Sequence, residues 1–550
     1  MTMTARTPLD LPPELQVAII DRIHRPLDLT NVGLSAKPLR SIAVAKLYRS
    51  VELDLSRCTY RNLHGFFLAG NPGPKHVQQL VFSVDPKDHS DEAVKVMRLT
   101  LVLVARNGLR RLYLPDGILL DEEFFTQLSI EQRHLHVASL GMVGGVVDRV
   151  LGSPAFPPDW LQSIICLRVP EQIWSLEDLS GYQKLIERTP ALRDLRIRTS
   201  KIVTASEGED LLSESESEEG PLFKTLFRHI LGKPEHANMK LDRLVLCNLQ
   251  LGWPGRSLLK AVDFSVLGSL MLESCGPADN LLIALTGLFK TQPSKLRDFQ
   301  FDTCVDDPSA LQDFLQGISG LHCLHLTYTS PKVDKGFALS SMNTHFPTLR
   351  QLCFRASEDE KPKSYELLIK SVSGLRYLSV VMPEIDCIFP GRTVQGAWEG
   401  YCTALDAVSR LPELQILRSM NWPRPMVGSL LPPDSQDDDF VNNSATNEIN
   451  TTRYLGRLDQ LANAVLKRIA EQRRTSDPTS LPLLAFGEFE ESSLWEEGSE
   501  TYVQTYNVNY MPALQRSAFG PPEIVGLRVG HKEIDDIVPV TEKIGGYNML

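Results

Sequence analysis

The sequence lacks the signals that most functional classes require. Its nine cysteines form no C-x-x-C pair and, with the histidines, no zinc-ligand spacing. Free thiols in a reducing compartment are expected, without disulfides or metal. No apolar run approaches the roughly eighteen residues of a membrane span, and MTMTARTPLDLPPEL has no apolar signal-peptide core. A cytoplasmic or nuclear protein with no membrane partner is therefore expected. A basic excess is missing too: the net charge is −11, which argues against a nucleic-acid partner. No G-x-S-x-G, P-loop, H-E-x-x-H or G-x-G-x-x-G motif occurs. The glycines of GMVGGVVDRVLG (141–152) have the wrong spacing for a nucleotide turn. HCLH (322–325) sits on a predicted strand, which sends His322 and His325 to opposite faces. Neither catalysis nor a cofactor is expected.

What is there is a repeat. The chain has 550 residues, 42% of them hydrophobic and 23% charged, so it folds as several domains or as an array. The phrase L-x-x-L-x-L recurs as LRRLYL from Leu109, IICLRV from Ile164, LRDLRI from Leu192 and LDRLVL from Leu241. It continues as LGSLML from Leu267, LRDFQF from Leu296, LHCLHL from Leu321, LRQLCF from Leu349 and LRYLSV from Leu375. Weaker copies are VQQLVF from Val77 and LPLLAF from Leu481. The anchors Leu244, Leu270, Phe299, Leu324, Leu352 and Leu378 are 26, 29, 25, 28 and 26 residues apart. That is the leucine-rich-repeat range. The alternating core reads as a strand with one face buried, and helix-like stretches such as 278–290 and 308–319 lie between copies. Strand-plus-helix units bury their faces by stacking. The expected fold is α/β: a curved leucine-rich-repeat solenoid, strands concave and helices convex. Five residues after the anchor stand Ser200, Cys275, Cys304, Thr329 and Ser357, small polar residues suited to satisfying backbone groups as the chain leaves the strand.

Ahead of the repeats, Asp10 can cap a helix whose first turn holds Pro12 and Pro13. Leu15, Ile19 and Ile23 make one stripe, widened by Val17 and Ile20. After a break at Pro26, Asp28 can cap a second helix, and Pro38 can start a third with Ile42, Ala43 and Leu47 on its face. Such a short piece buries too little to be stable alone, so its apolar surface needs a cover. Leu11-Pro12-x-Glu14-Leu15, then Leu27-Asp28-Leu29, Leu34, Leu39-Arg40, Ala43 and the closing LYRSVEL resemble an F-box of the fungal leucine-rich type. Gly33 and Pro38 depart from that pattern and predict a looser second helix. The resemblance implies a non-catalytic receptor subunit of an SCF-type cullin–RING ubiquitin ligase. Leu11, Pro12, Leu15, Ile19 and Leu27 would contact the small adaptor subunit, the repeats would bind a protein substrate, and other subunits would carry out ubiquitination. Two other readings stay open: residues 9–50 as a plain N-terminal cap, and the whole chain as an adaptor-independent interaction scaffold.

Residues flanking the anchors face the concave side. Arg111, Tyr113, Arg168, Arg196, Arg198, Arg243, His325 and Tyr377 are the substrate-binding candidates. The arginines suit an acidic or phosphorylated segment. The anchors Leu195 and Leu244 are 49 residues apart, and the excess includes SEGEDLLSESESEEG (206–220), read as a disordered acidic insert that competes for the Arg196/Arg198 region. The expected organisation is a disordered 1–8, an F-box at 9–50, repeats over 51–422, a mobile loop at 423–452, C-terminal repeats or a cap over 453–530, and a tail at 531–550.

Overall fold

The computed structural model describes residues 9, 11–23, 26–55, 65–68, 70–83, 91–114, 122–135, 137–139, 151–152, 160–169, 176–198, 221–231, 238–249, 256–276, 278–304, 308–329, 338–355, 372–382, 395–420, 444–487, 508–515 and 522–529. Asp10, the acidic insert 206–220 and the tail 531–550 lie outside them. The chain divides into two compact units, Met1–Leu281 with Met549–Leu550, and Leu282–Asn548.

The first unit opens with three helices, α1 (Pro13–Ile20), α2 (Pro26–Ser35) and α3 (Lys37–Leu47). Pro12 is the N-cap of α1, with Pro13 in the first turn, where a missing N–H costs nothing. The second helix starts at Pro26 rather than after an Asp28 cap; Asp28 stands in the first turn, where its carboxylate meets the positive end of the helix dipole. Pro38 stands in the first turn of α3, which begins one residue earlier at Lys37. Gly33 does not loosen α2, which runs unbroken through it. A Cβ there would lie 3.6 Å from the Ala43 Cβ, so the glycine marks the close crossing of α2 and α3. Lys46 reaches the Asp21 carbonyl and ties α3 to the end of α1.

Parallel strands follow in chain order: β1 (Ser50–Asp54), β2 (Gln79–Ser83), β3 (Arg111–Tyr113) and β4 (Val137–Ser139). The helices α4 (Asp91–Leu103) and α5 (Glu122–Glu131) separate β2 from β3 and β3 from β4. A second parallel group comprises β5 (Cys166–Val169), β6 (Asp194–Arg198), β7 (Arg243–Cys247) and β8 (Ser269–Glu273). Its helices are α6 (Leu176–Glu187), α7 (Pro221–Leu226), α8 (Arg228–Leu231) and α9 (Arg256–Ala261). The anchors Leu167, Leu195, Leu244 and Leu270 stand in one buried row. Leu195 pairs directly with Leu244, so the extra residues between them leave the ladder intact.

The second unit repeats this plan with β9 (Asp298–Cys304), β10 (Cys323–Thr329), β11 (Gln351–Arg355), β12 (Tyr377–Val380), β13 (Ile416–Ser419) and β14 (Leu483–Phe486), all parallel. Its helices include α10 (Pro308–Gly317), α11 (Gln395–Val408) and α12 (Ser444–Arg473). The row Phe299, Leu324, Leu352, Leu378, Leu417 and Leu484 is buried throughout. Among the parallel strands, β1, β4 and β13 fall outside the repeat copies found in the sequence. At β13 the copy in register is LQILRS (414–419), which keeps Leu414 and Leu417 at the usual spacing but has Ser419 where β12 has Val380.

The array ends in an antiparallel hairpin, β15 (Val508–Gln515) and β16 (Glu523–Val529), added to β14. The IVGLRV strand and its capping role were expected; β15 was not. Helix α12 has 30 residues and begins at Ser444, inside the stretch 423–452 expected to be a loop. Asn- and Thr-rich sequence hid its first turns. Helix grows cooperatively from a stable segment, and Leu458, Ala462, Val465, Leu466 and Ile469 are buried on one face.

The hairpin is held to α12 by polar contacts. Tyr510 donates to Asp459 at 2.9 Å, and Arg528 forks onto both oxygens of the same carboxylate at 2.7 and 2.8 Å. The Gly526 N–H donates to Asn463 Oδ1 at 2.7 Å. A Cβ on Gly526 would stand 3.2 Å from the Tyr510 Cβ and 3.3 Å from the Leu466 Cδ1. Gly526→Val is therefore expected to cost about 1–3 kcal/mol through overpacking. Hydrogen exchange should show faster exchange confined to 508–529 and the facing turns of α12; unchanged exchange there would contradict it.

Candidate functional site

Two surfaces of the first unit gather the predicted residues. The first is the helical head. Packing of α2 and α3 buries Leu29 and Ala43, and α1 turns Gln16 and Ile20 inward. The inward face thus differs from the expected stripe. Gln16 is buried because its amide donates to the carbonyls of Leu9 and Leu11 at 3.3 and 2.9 Å, closing the chain before the helix. Leu15, Ile19, Leu27 and Leu34 are left 51%, 47%, 71% and 77% exposed, with Val17 also exposed. Pro12 is exposed, and Leu11 and Ile23 are half-buried. Of the predicted adaptor contacts, Pro12, Leu15, Ile19 and Leu27 therefore face outward; Leu34 and Val17 join them.

The second surface is the sheet face opposite the buried leucine row. In register, β5 and β6 place Arg168 beside Arg196, and β6 and β7 place Asp194 beside Arg243. Arg198 and Arg111 are exposed, and Arg168, Arg196, Arg243 and Tyr113 are half-buried. Arg196 forks onto Asp194 with Nε–Oδ1 and Nη2–Oδ2 distances of 3.3 and 3.1 Å. The Tyr113 phenol is within electrostatic reach of Arg196. Glu273 closes this face on β8 and accepts a hydrogen bond from the Cys247 thiol at 3.1 Å. The hold of Asp194 on Arg196 was not among the expectations from the sequence. Glu273 went unnoticed because it lies three residues beyond its anchor, Leu270.

The cysteines here are structural. Burial, followed by the Asp194 charge, pushes the Cys166 thiol up to about 12, and burial with Glu273 pushes Cys247 further up. Cys275 donates to the Leu246 and Glu273 carbonyls at 3.3 and 3.4 Å, which is the backbone role predicted for its slot. The side chains of Ser200, Cys304, Thr329 and Ser357 lie outside the described residues.

In the second unit, two candidates prove to be core. Tyr377 is 2% exposed and clusters with Ile416, Leu483 and Ala485, against which Val529 packs. Large apolar groups at face positions of successive strands shield each other from water. His325 is 6% exposed, with Nε2 3.1 Å from Thr327 Oγ1. Neither is placed to meet a partner. His322, by contrast, is exposed.

Burial lowers the His325 pKa to about 4. The folded chain keeps the ring neutral, while the unfolded chain protonates it below about pH 6.5. Its contribution to stability is therefore full above pH 6.5, falls as pH drops, and levels off near pH 4. The loss by pH 5 is about 2 kcal/mol. His325→Gln should remove this part of the acid sensitivity. Urea midpoints at pH 7 and pH 5 that shift equally in both proteins would refute it.

No family model matches the sequence, and no curated protein matches it. Among solved structures, the leucine-rich repeat-containing protein LegL7 from Legionella pneumophila is 13% identical, with a TM-score of 0.30, over 67% of this chain and 89% of that one. TLR13, solved as a complex with ssRNA13, is 10% identical, with a TM-score of 0.27, over 63% of this chain and 46% of that one. Scores this low add nothing to the α/β repeat seen directly. Among the described residues no helix is long and apolar enough to cross a membrane.

Proposed function

We propose that the chain is a substrate-recognition subunit of an SCF-type cullin–RING ubiquitin ligase, with α1–α3 docking on the small adaptor and the repeats binding a protein substrate. The observation that carries this reading is the exposure of Leu15 and Ile19 on α1 and of Leu27 and Leu34 on α2, helices that together with α3 keep Ile20, Leu29 and Ala43 inside. Four large apolar side chains left to water on so short a segment suit a surface that a partner covers. The F-box resemblance of residues 9–53 supplies the partner for that surface. The parallel repeats supply a second, separate surface, so one chain can hold two proteins at once. Ubiquitin transfer is left to other subunits.

The direct test is reconstitution. The full-length chain mixed with the adaptor should elute with it from a sizing column and recruit the cullin through it. Separate elution at micromolar concentrations would remove the ligase reading and leave a repeat scaffold. An acidic or phosphorylated substrate is part of the proposal.

A further inference from the structure

We propose that the edge of the second unit where the chain enters β9–β13 is a docking surface for an acidic α-helix of a partner protein. Arg297, His322, Arg350 and Arg376 each stand one residue before their strand, on β9, β10, β11 and β12. One ladder of hydrogen bonds fixes them. The Arg297 carbonyl accepts the N–H groups of His322 and Cys323 at 2.7 and 3.1 Å. The His322 carbonyl accepts those of Arg350 and Gln351 at 2.8 and 3.0 Å, and the Arg350 carbonyl those of Arg376 and Tyr377 at 2.8 and 3.1 Å. The four side chains therefore leave a fixed backbone about 4.8 Å apart, in a row about 14 Å long. Arg297, His322 and Arg376 are exposed, and Arg350 is half-buried.

The fold does not require a cation in this slot. Its equivalents before β5–β8 are Ile165, Arg193, Asp242 and Gly268. The five segments that enter β9–β13 are 290–298, 316–323, 343–351, 372–377 and 409–416, all of them described. They carry six lysines and arginines against two carboxylates, Asp298 and Glu413. That excess sits on a chain whose net charge is −11. Arg350 donates to the Gly374 carbonyl at 3.1 Å, and Arg376 meets Glu413 at 3.6 Å with both side chains about half exposed. So exposed a pair contributes little, and an incoming carboxylate can replace it. Arg297 and Lys295 enter no ion pair among the described residues.

Spacing selects the partner. Carboxylates on one face of an α-helix recur at each turn, about 5.4 Å apart. On one face of an extended strand they recur about every 6.8 Å. Over three intervals the helix falls out of step with the basic row by about 2 Å and the strand by about 6 Å. Long arginine stems take up the first difference but not the second. A nucleic acid would bring its charge against the whole acidic chain, whereas one helix face presents charge only where the cations are. The inference needs no adaptor and holds for a ligase subunit and a scaffold alike.

The test uses the full-length chain and three probes. Two are hydrocarbon-stapled helical peptides of about fifteen residues and equal composition. One carries glutamate at i, i+4, i+7 and i+11; the other spreads the same glutamates around the helix. The third is an oligothymidylate of matched charge. At low salt the one-faced helix should bind about tenfold more tightly than either other probe, and about 0.5 M salt should remove most of that binding. Arg297→Glu with Arg376→Glu should lose about tenfold or more with an unchanged urea midpoint, since both side chains are exposed. Arg106→Glu with Arg110→Glu, the same charge change at exposed positions of the first unit, should lose none. Equal binding of the two peptides, or tighter binding of the oligothymidylate, would overturn the helix as partner. Equal losses in the two double variants would show that net charge alone attracts the peptide, and would overturn the docking surface.

Discussion

Aspartate at both Leu15 and Ile19 is expected to weaken adaptor binding about a hundredfold or more while leaving the unfolding of the chain unchanged. The two side chains are half-exposed, so covering them contributes about 1 kcal/mol each. The larger effect comes from the replacement. An interface closing over two carboxylates must strip their water without offering partners, which costs several kcal/mol. A loss of about 3 kcal/mol is already more than a hundredfold in Kd. Stability should not follow, because neither residue belongs to the packed set Ile20, Leu29 and Ala43, and substitutions at exposed sites usually move stability by about 0.5 kcal/mol or less. Isothermal titration with the adaptor, beside thermal unfolding of the same variant, separates the two. A variant that binds within about threefold of the wild type would show that this face is not the interface. Ile20→Asp supplies the contrast: it should lose folding of the head first, and binding as a consequence.

The repeat was legible because each copy states two things at once, a buried alternation and a fixed interval. Either alone is common. Together they placed the anchors of β5–β12 on one row in each unit, even where 49 residues separate Leu195 from Leu244. What failed had local causes. At β13 a serine, Ser419, replaces the third apolar residue of the phrase, and the first turns of α12 carry Asn and Thr where Ala or Leu would signal helix. Edges of elements depend on what they pack against, which no local pattern records.

The binding face was legible in a narrower sense. Strand period assigns Tyr377 and Arg196 equally to the side away from the leucine row. It does not say what covers that side. Tyr377 has Ile416 and Leu483 as neighbours on successive strands and becomes core. Arg196 has Arg168 and Val245 as its neighbours on the adjacent strands, pairs with Asp194 on its own strand, and stays half-buried. The difference is set by cross-strand partners from remote sequence, and those appear only once the register is known. The head shows the same limit: α1 is apolar on most sides, so period alone did not decide that Gln16 and Ile20 turn inward.

Arg473→Ala is expected to destabilise the second unit by about 3–4 kcal/mol, more than any other single polar change among the described residues of that unit. Its guanidinium donates to Ser409 O at 3.1 Å and Leu411 O at 2.6 Å, and also to Ser480 O. Ser409 and Leu411 follow directly on α11, where the last helical carbonyls have no partner of their own and carry the negative end of the dipole. One planar cation thus caps α11, the loop after it and the turn before β14. Hydrogen bonds to a charged group contribute about 1.5–3 kcal/mol each; Leu411 O keeps only the long bond from the Leu414 N–H at 3.4 Å once the guanidinium is gone. The neighbouring Arg468–Asp406 pair, at 2.7 Å but about a third exposed, is a useful contrast. Solvent screening limits it to about 1 kcal/mol, so Arg468→Ala should be mild. Arg473→Lys should recover only part of the loss, because a compact ammonium cannot bridge carbonyls spread along the edge of a fork. Urea unfolding of the three variants, with hydrogen exchange over 405–412 and 475–483, measures this ranking. Equal effects of Arg473→Ala and Arg468→Ala would mean that the carbonyls find water instead, and that the cap contributes little.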